Sequence, residues 1–180
     1  MNTLRIDFIN KRAPYLVKEN PHAVNSYVFK TDTGTEFVIS LQENSSIVPS
    51  GAYEFGINNP HHGRSPLDTK LKYTIFAIVE EFFEQNGDEA MLYLAETGDE
   101  KQSFRNRLFV RWFNTYEQRD MYFIKTAEGK MDGEMIFLAI ISRITNPRLP
   151  EIIEEFDETI SFLFDPVEEI LMNCHRLTSL

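Results

Sequence analysis

The hydrophobic period changes along this chain, and the order of the changes limits the folds open to it. Leu4, Ile6 and Phe8 alternate with Arg5 and Asp7, which predicts a half-buried strand over Leu4–Ile9. A short second strand is expected at Tyr15–Val17. Ser26–Lys30 and Thr35–Leu41 flank Thr31-Asp32-Thr33-Gly34, where Gly34 can supply the positive φ of a hairpin turn. Ala52–Asn58 reads as another strand, with Tyr53, Phe55 and Ile57 on one side. A turn-rich stretch from Asn58 to Pro66 follows, and then the period lengthens. Leu71, Ile75, Ile78, Val79 and Phe82 predict a helix between Lys70 and Gln85, capped by Asp68 or Thr69 and ended by a left-handed Gly87.

Ala90–Ala95 is a short, nearly continuous apolar run with turn-like flanks, the signature of a central strand covered on both faces. Phe104, Leu108, Phe109, Trp112 and Phe113 form the stripe of a second helix from about Glu100 to Thr115. Asp99 is a candidate N-cap, and Gln102, at the third position, can reach back to it in a capping box. Strands are expected at Met121–Thr126 and Glu134–Arg143 around a Gly129–Gly133 turn, with a helical reading of the second left open. Asn146-Pro147 and Pro150 break the chain before a third helix, Glu151–Phe164. Pro166 can open a short terminal helix.

Strands, helix, strand, helix, strands, helix is not a regular βα alternation. It predicts an α+β fold: a mixed or mainly antiparallel sheet with about three helices packed on one face. No repeat or linker interrupts the chain, so a single domain is expected over residues 1–180, with 1–20 and 165–180 as peripheral extensions. The apolar share of 42% and charged share of 26% belong to a folded chain rather than a disordered one.

Cys174 is the single cysteine, which excludes an internal disulfide and favours a reducing compartment. The first residues lack the apolar core of a secretory signal, and no window approaches the ~18 apolar residues of a membrane helix. A soluble, cytoplasmic protein is expected. The net charge of −10 argues against direct binding to nucleic acid or an anionic membrane. From Thr145 to the end, eight acids face only Arg148 and Arg176.

No nucleotide-binding, metalloprotease or serine-hydrolase motif is present, so whether the chain is an enzyme stays open and no cofactor is assigned. The Thr97–Arg107 segment joins a buried strand to an amphipathic helix. Free N–H groups at such a helix start, with Arg105 close by and Arg107 and Arg111 four apart, suit an anion or an acidic partner. Asp99 as a cap occupies the same position, and solvated arginines are the commoner case. His61 and His62 beside Asp68 have the chemistry for a metal or for acid–base work, but adjacent histidines diverge and no second ligand pair follows, so no metal site is assigned. Cys174-His175 are neighbours that do not face each other on a helix. Glu80, Glu81 and Glu84 fall on the polar side of the first helix. Glu151, Glu155 and Glu158 line the third, either as a solubility face or as a phosphate-like stripe for a basic partner.

Leu92-Tyr93-Leu94, Asp99, Gln102, Arg105-Asn106-Arg107-Leu108-Phe109 and Trp112-Phe113 resemble an uncharacterised Bacteroidota family, a domain of unknown function. So do the apolar strand ending near Arg143, Asn146-Pro147 and Ile152-Ile153-Glu154-Glu155-Phe156, and the Tyr27–Thr31 hairpin fits the same layout. The family commonly carries cysteine and glycine where this chain has Ala95 and Glu100. The resemblance implies a stand-alone bacterial domain and brings no activity. With the anion argument it singles out Asp99, Gln102, Arg105, Arg107 and Trp112 as binding candidates. The expected role is a non-enzymatic module that binds a protein partner. The alternatives are a small enzyme or binding protein for a phosphate- or carboxylate-bearing molecule, and an acidic mimic of nucleic acid.

Overall fold

The computed structural model describes residues 1–60, 69–96, 110–131 and 134–164. One seven-stranded sheet carries its strands: β1 (Lys18–Glu19), β2 (Ser26–Lys30), β3 (Glu36–Asn44), β4 (Ala52–Asn58), β5 (Ala90–Glu96), β6 (Tyr122–Met131) and β7 (Glu134–Arg143). They lie in the order β1-β2-β3-β4-β5-β7-β6. The β4–β5 pair is parallel and the others are antiparallel. The helices are α1 (Ile6–Arg12), α2 (Thr69–Gln85), α3 (110–114) and α4 (Leu149–Leu163). The fold is therefore α+β with a mostly antiparallel mixed sheet, as the element order implied.

Local chemistry sets the β2–β3 hairpin. Gly34, at φ +79°, donates its N–H to the Thr31 carbonyl (2.9 Å), and Thr31 N–H reaches the Thr35 carbonyl (2.9 Å). Across β5 the two faces are both apolar. Met91 and Tyr93 point to the core shared with Ile75, Ile78 and Phe82 of α2, while Ala90 and Leu92 join Ile152 and Phe156 of α4 on the other side. That double covering explains the near-continuous apolar run. The same alternation in β7 sends Ala139 and Ile141 to the α2 side and Leu138 and Ile140 to α4.

Three helices do share a face, but they are α1, α2 and α3, represented in that core by Ile9, Phe82 and Phe113. The expected third member, α4, covers the opposite face instead. Its anchors beyond the apolar core are Lys125 Nζ to Asp157 (2.7 Å) and the Phe164 ring lying on Gly129. The predicted strand at Leu4–Ile9 is also corrected, because this segment enters α1. Leu4 and Ile9 are buried, whereas Phe8 faces solvent beneath the Arg5 guanidinium (3.7 Å to the ring centre). Tyr15 and Val17 are buried, but the paired strand is Lys18–Glu19.

Gly87 does not take the left-handed conformation. Asn86 ends α2 instead, donating both its backbone N–H (2.8 Å) and its side-chain amide (3.0 Å) to the Phe82 carbonyl. Pro150 sits in the first turn of α4 rather than before it, where its missing N–H has no helical partner to lose. Gly129 and Lys130 continue β6 rather than forming a turn. Among the described residues no helix is long and apolar enough to cross a membrane.

Candidate functional site

The most elaborate polar arrangement among the described residues joins α1 to α2. Glu81 is 0% exposed on the buried side of α2, where a charge survives only if it is compensated. Arg5 gives Oε1 its backbone N–H (3.2 Å) and its Nε (2.8 Å), and gives Oε2 an Nη2 contact (3.3 Å). Arg12 Nη2 reaches Oε2 (3.1 Å), and Gln85 Nε2 donates to Oε1 (3.0 Å). Both arginines also hold Glu84, at 3.2 and 2.8 Å, and Arg12 Nη1 lies 3.1 Å from Glu80. Burial pushes the Glu81 carboxyl up, but the Arg5 hydrogen bonds and the two positive charges outweigh it, and the group sits below the ordinary glutamate value. Glu80 goes the other way, since desolvation there exceeds the attraction of Arg12.

The same end of the molecule holds Tyr53, whose hydroxyl accepts from the Met1 ammonium (2.8 Å) and donates to Glu43 (3.1 Å). Burial and the Glu43 charge push this phenol up to about 12. Tyr116 Oη, just past the end of α3, and Arg143 Nε on β7 are buried without a hydrogen-bond partner among the described residues. Among the described residues no group of three His, Cys, Asp or Glu side chains is arranged to hold a metal ion.

On the opposite face, α4 carries five acids and no basic residue over its 15 positions. Their directions differ. Glu155 turns in to accept from Ser50 N–H (3.0 Å), Asp157 pairs with Lys125, and Glu151 lies 3.4 Å from Arg148 Nε. Glu154 and Glu158 remain exposed, and Phe162, one turn beyond Glu158, is 88% exposed. The outer surface of α4 is thus an acidic ridge that ends in a bare aromatic ring. Its acids do not form an uninterrupted phosphate-like row.

Of the binding candidates read from the sequence, Asp99, Gln102, Arg105 and Arg107 lie outside the described residues, as do His61, His62, Asp68, Cys174 and His175. Trp112 is described. It is half-buried on α3 and packs against the α2-side core. Asn58 and Glu96 end the two parallel neighbours β4 and β5, so both strands finish at one end of the sheet. The residues missed from sequence are Arg5, Arg12 and Glu81. Three glutamates at i, i+1 and i+4 read locally as a solvated face, and the partners that bury one of them lie about seventy residues earlier.

A mixed sheet clad by α2 on one face and α4 on the other defines a small α+β domain. The chain belongs to a family of unknown function (DUF6169), which it matches over residues 67–158, just over half its length. That match runs from the start of α2 through most of α4, and leaves α1 and β1–β4 outside it. No curated protein matches the sequence.

Proposed function

We propose that this protein is a non-enzymatic binding module whose contact surface is the outer ridge of α4. Phe162 carries the reading. A ring that is 88% exposed on a helix otherwise anchored by Ile152 and Phe156 offers an apolar anchor at no cost in core packing. Glu154 and Glu158, in line with it along α4, favour a partner that presents lysine or arginine around an apolar pocket. The acids supply orientation and association rate, and the ring supplies the buried area. A reducing, cytoplasmic setting goes with this reading and is supported by the lone Cys174.

The test is affinity capture with wild type beside Phe162→Ser and Glu158→Lys. A stoichiometric protein that is retained by wild type, released by moderate salt and lost from both variants supports the module. Equal retention by all three places the contact elsewhere and removes the reading.

A second reading has its own observation. Asn58 and Glu96 end parallel strands side by side, and the segments carrying His61-His62 and Arg105–Arg107 follow those two ends in sequence. Crevices at the carboxyl ends of parallel strands are common ligand sites, so we keep a phosphate- or carboxylate-bearing small molecule as the alternative occupant. Calorimetric titration with inorganic phosphate, wild type against Arg105→Ala/Arg107→Ala, decides it. Binding lost in the variant favours the anion site, and no heat from wild type ends it.

A further inference from the structure

The two halves of the α1–α2 clamp come from different parts of the chain. Glu80, Glu81 and Glu84 lie within the residues that match the family, whereas Arg5 and Arg12 lie outside them. Arg5 caps the start of α1 and Arg12 is its last residue, so the two guanidiniums reach Glu81 from the two ends of the helix. Ile9, between them, is completely buried. Asn2 extends the contact along α2, donating its side-chain amide to the Gln85 carbonyl (2.7 Å) and its N–H to Asn86 Oδ1 (2.6 Å). One helix is thus read by another through two guanidinium forks that flank an aliphatic side chain.

We propose that α2 carries a docking site for an arginine-bearing helix and that α1 fills this site in cis. The chemistry it takes is two arginines seven residues apart with an aliphatic residue between them. Three observations support this. Glu81 is enclosed and accepts from both guanidiniums, so a vacated site favours the same chemistry over an apolar helix, which would leave a buried carboxylate unpaired. At seven residues, α1 is too short to be a stable helix away from the surface it packs on. The arginines are 41% and 32% exposed, so their side of the clamp is open to screening and to competition. The site is separate from the α4 ridge, which lies on the other face of the sheet.

A fluorescent peptide of residues 1–14 tests the site directly. The full chain carrying Arg5→Gln/Arg12→Gln, with its own occupant weakened, is expected to bind this peptide about tenfold or more tightly than wild type does, because in wild type the site is already filled. A peptide carrying the same two glutamines is expected not to bind, and Phe162→Ser is expected to leave the affinity unchanged. Equal affinity for wild type and the double variant, or equal binding of the glutamine peptide, overturns the proposal. If the double variant does not fold, Arg12→Gln alone serves, read by hydrogen exchange. Amides of Ile6–Arg12 are expected to exchange at least about tenfold faster while those of β3 and β7 stay unchanged. Acceleration by the same factor in β3 and β7 makes α1 an inseparable part of the core and overturns it equally.

Discussion

Arg5 closes twice on a single oxygen of Glu81, with its backbone N–H at 3.2 Å and its Nε at 2.8 Å from Oε1. Both contacts are stronger to the ionised carboxylate than to the neutral acid, and with the Arg5 and Arg12 charges they outweigh burial and hold the Glu81 carboxyl below its ordinary value of 4.5. A carboxyl lowered in this way adds stability that is fully present above the unfolded value and is lost as pH falls through the folded one. Glu81→Gln is therefore expected to cost about 1–3 kcal/mol at pH 7, and the difference from wild type is expected to shrink below about pH 4. Urea melts of both proteins at pH 7 and pH 3 check this. A gap of constant size would mean the carboxylate charge is not what Arg5 and Arg12 stabilise.

Glu80 has the opposite sign. Burial raises its carboxyl, so its charge opposes folding at neutral pH and its protonation is favoured in the folded state. Glu80→Gln is expected to change stability by less than about 1 kcal/mol, since the relieved desolvation offsets the lost Arg12 pairing. The same melts would expose a structural Glu80–Arg12 bond as a clearly larger loss.

Phe82 is 0% exposed, and its ring stands edge-on to Tyr53 and Phe83, with centroids 5.6 and 5.0 Å away. Phe82→Ala is expected to cost ~3–5 kcal/mol. Trp112 has the same helical spacing in sequence but is only half-buried, so Trp112→Ala is expected to cost about 1–2 kcal/mol, less than a fully enclosed ring. Denaturation midpoints in the reverse order would relocate the core.

Two glycines in strands make a contrasting pair. At Gly129 an added Cβ overlaps the Phe164 ring and its Cβ, so the whole side chain has to move. At Gly56 the obstacle is the Ser40 hydroxyl, 2.5 Å away, which can rotate aside. Gly129→Ala is expected to destabilise by about 1–3 kcal/mol, and Gly56→Ala by less than about 1. Calorimetry on both, with Gly129→Ala repeated in a Phe164→Ala background where its cost is expected to disappear, separates ring overlap from a backbone effect.

Wherever short-range chemistry decides, the fold is readable from the residues. The Gly34 turn, the apolar run of β5 and the α2 stripe from Leu71 to Phe82 all depend on neighbours within a few positions. The Leu4–Ile9 segment is different. Its alternation is genuine over five residues, yet the chain coils because Arg5 and Arg12 must both reach α2, and no local pattern records that demand. The place of α4 was hidden for a similar reason: an apolar stripe states that a helix has an inner side but not which face of the sheet it meets. For the candidate site, the acidic character of α4 was legible. The bare Phe162 was not, because an aromatic that falls off a helix's apolar stripe carries no local mark of whether another element covers it.

Photo-crosslinking from position 162 tests the proposed function most directly, using a benzophenone amino acid in the full chain expressed in bacterial cells. Position 8, exposed on the α1 side, serves as the control. One discrete crosslinked protein is expected from position 162, absent from position 8 and abolished when Glu158→Lys is added. The same product from both positions, or none from position 162, would contradict the proposed function.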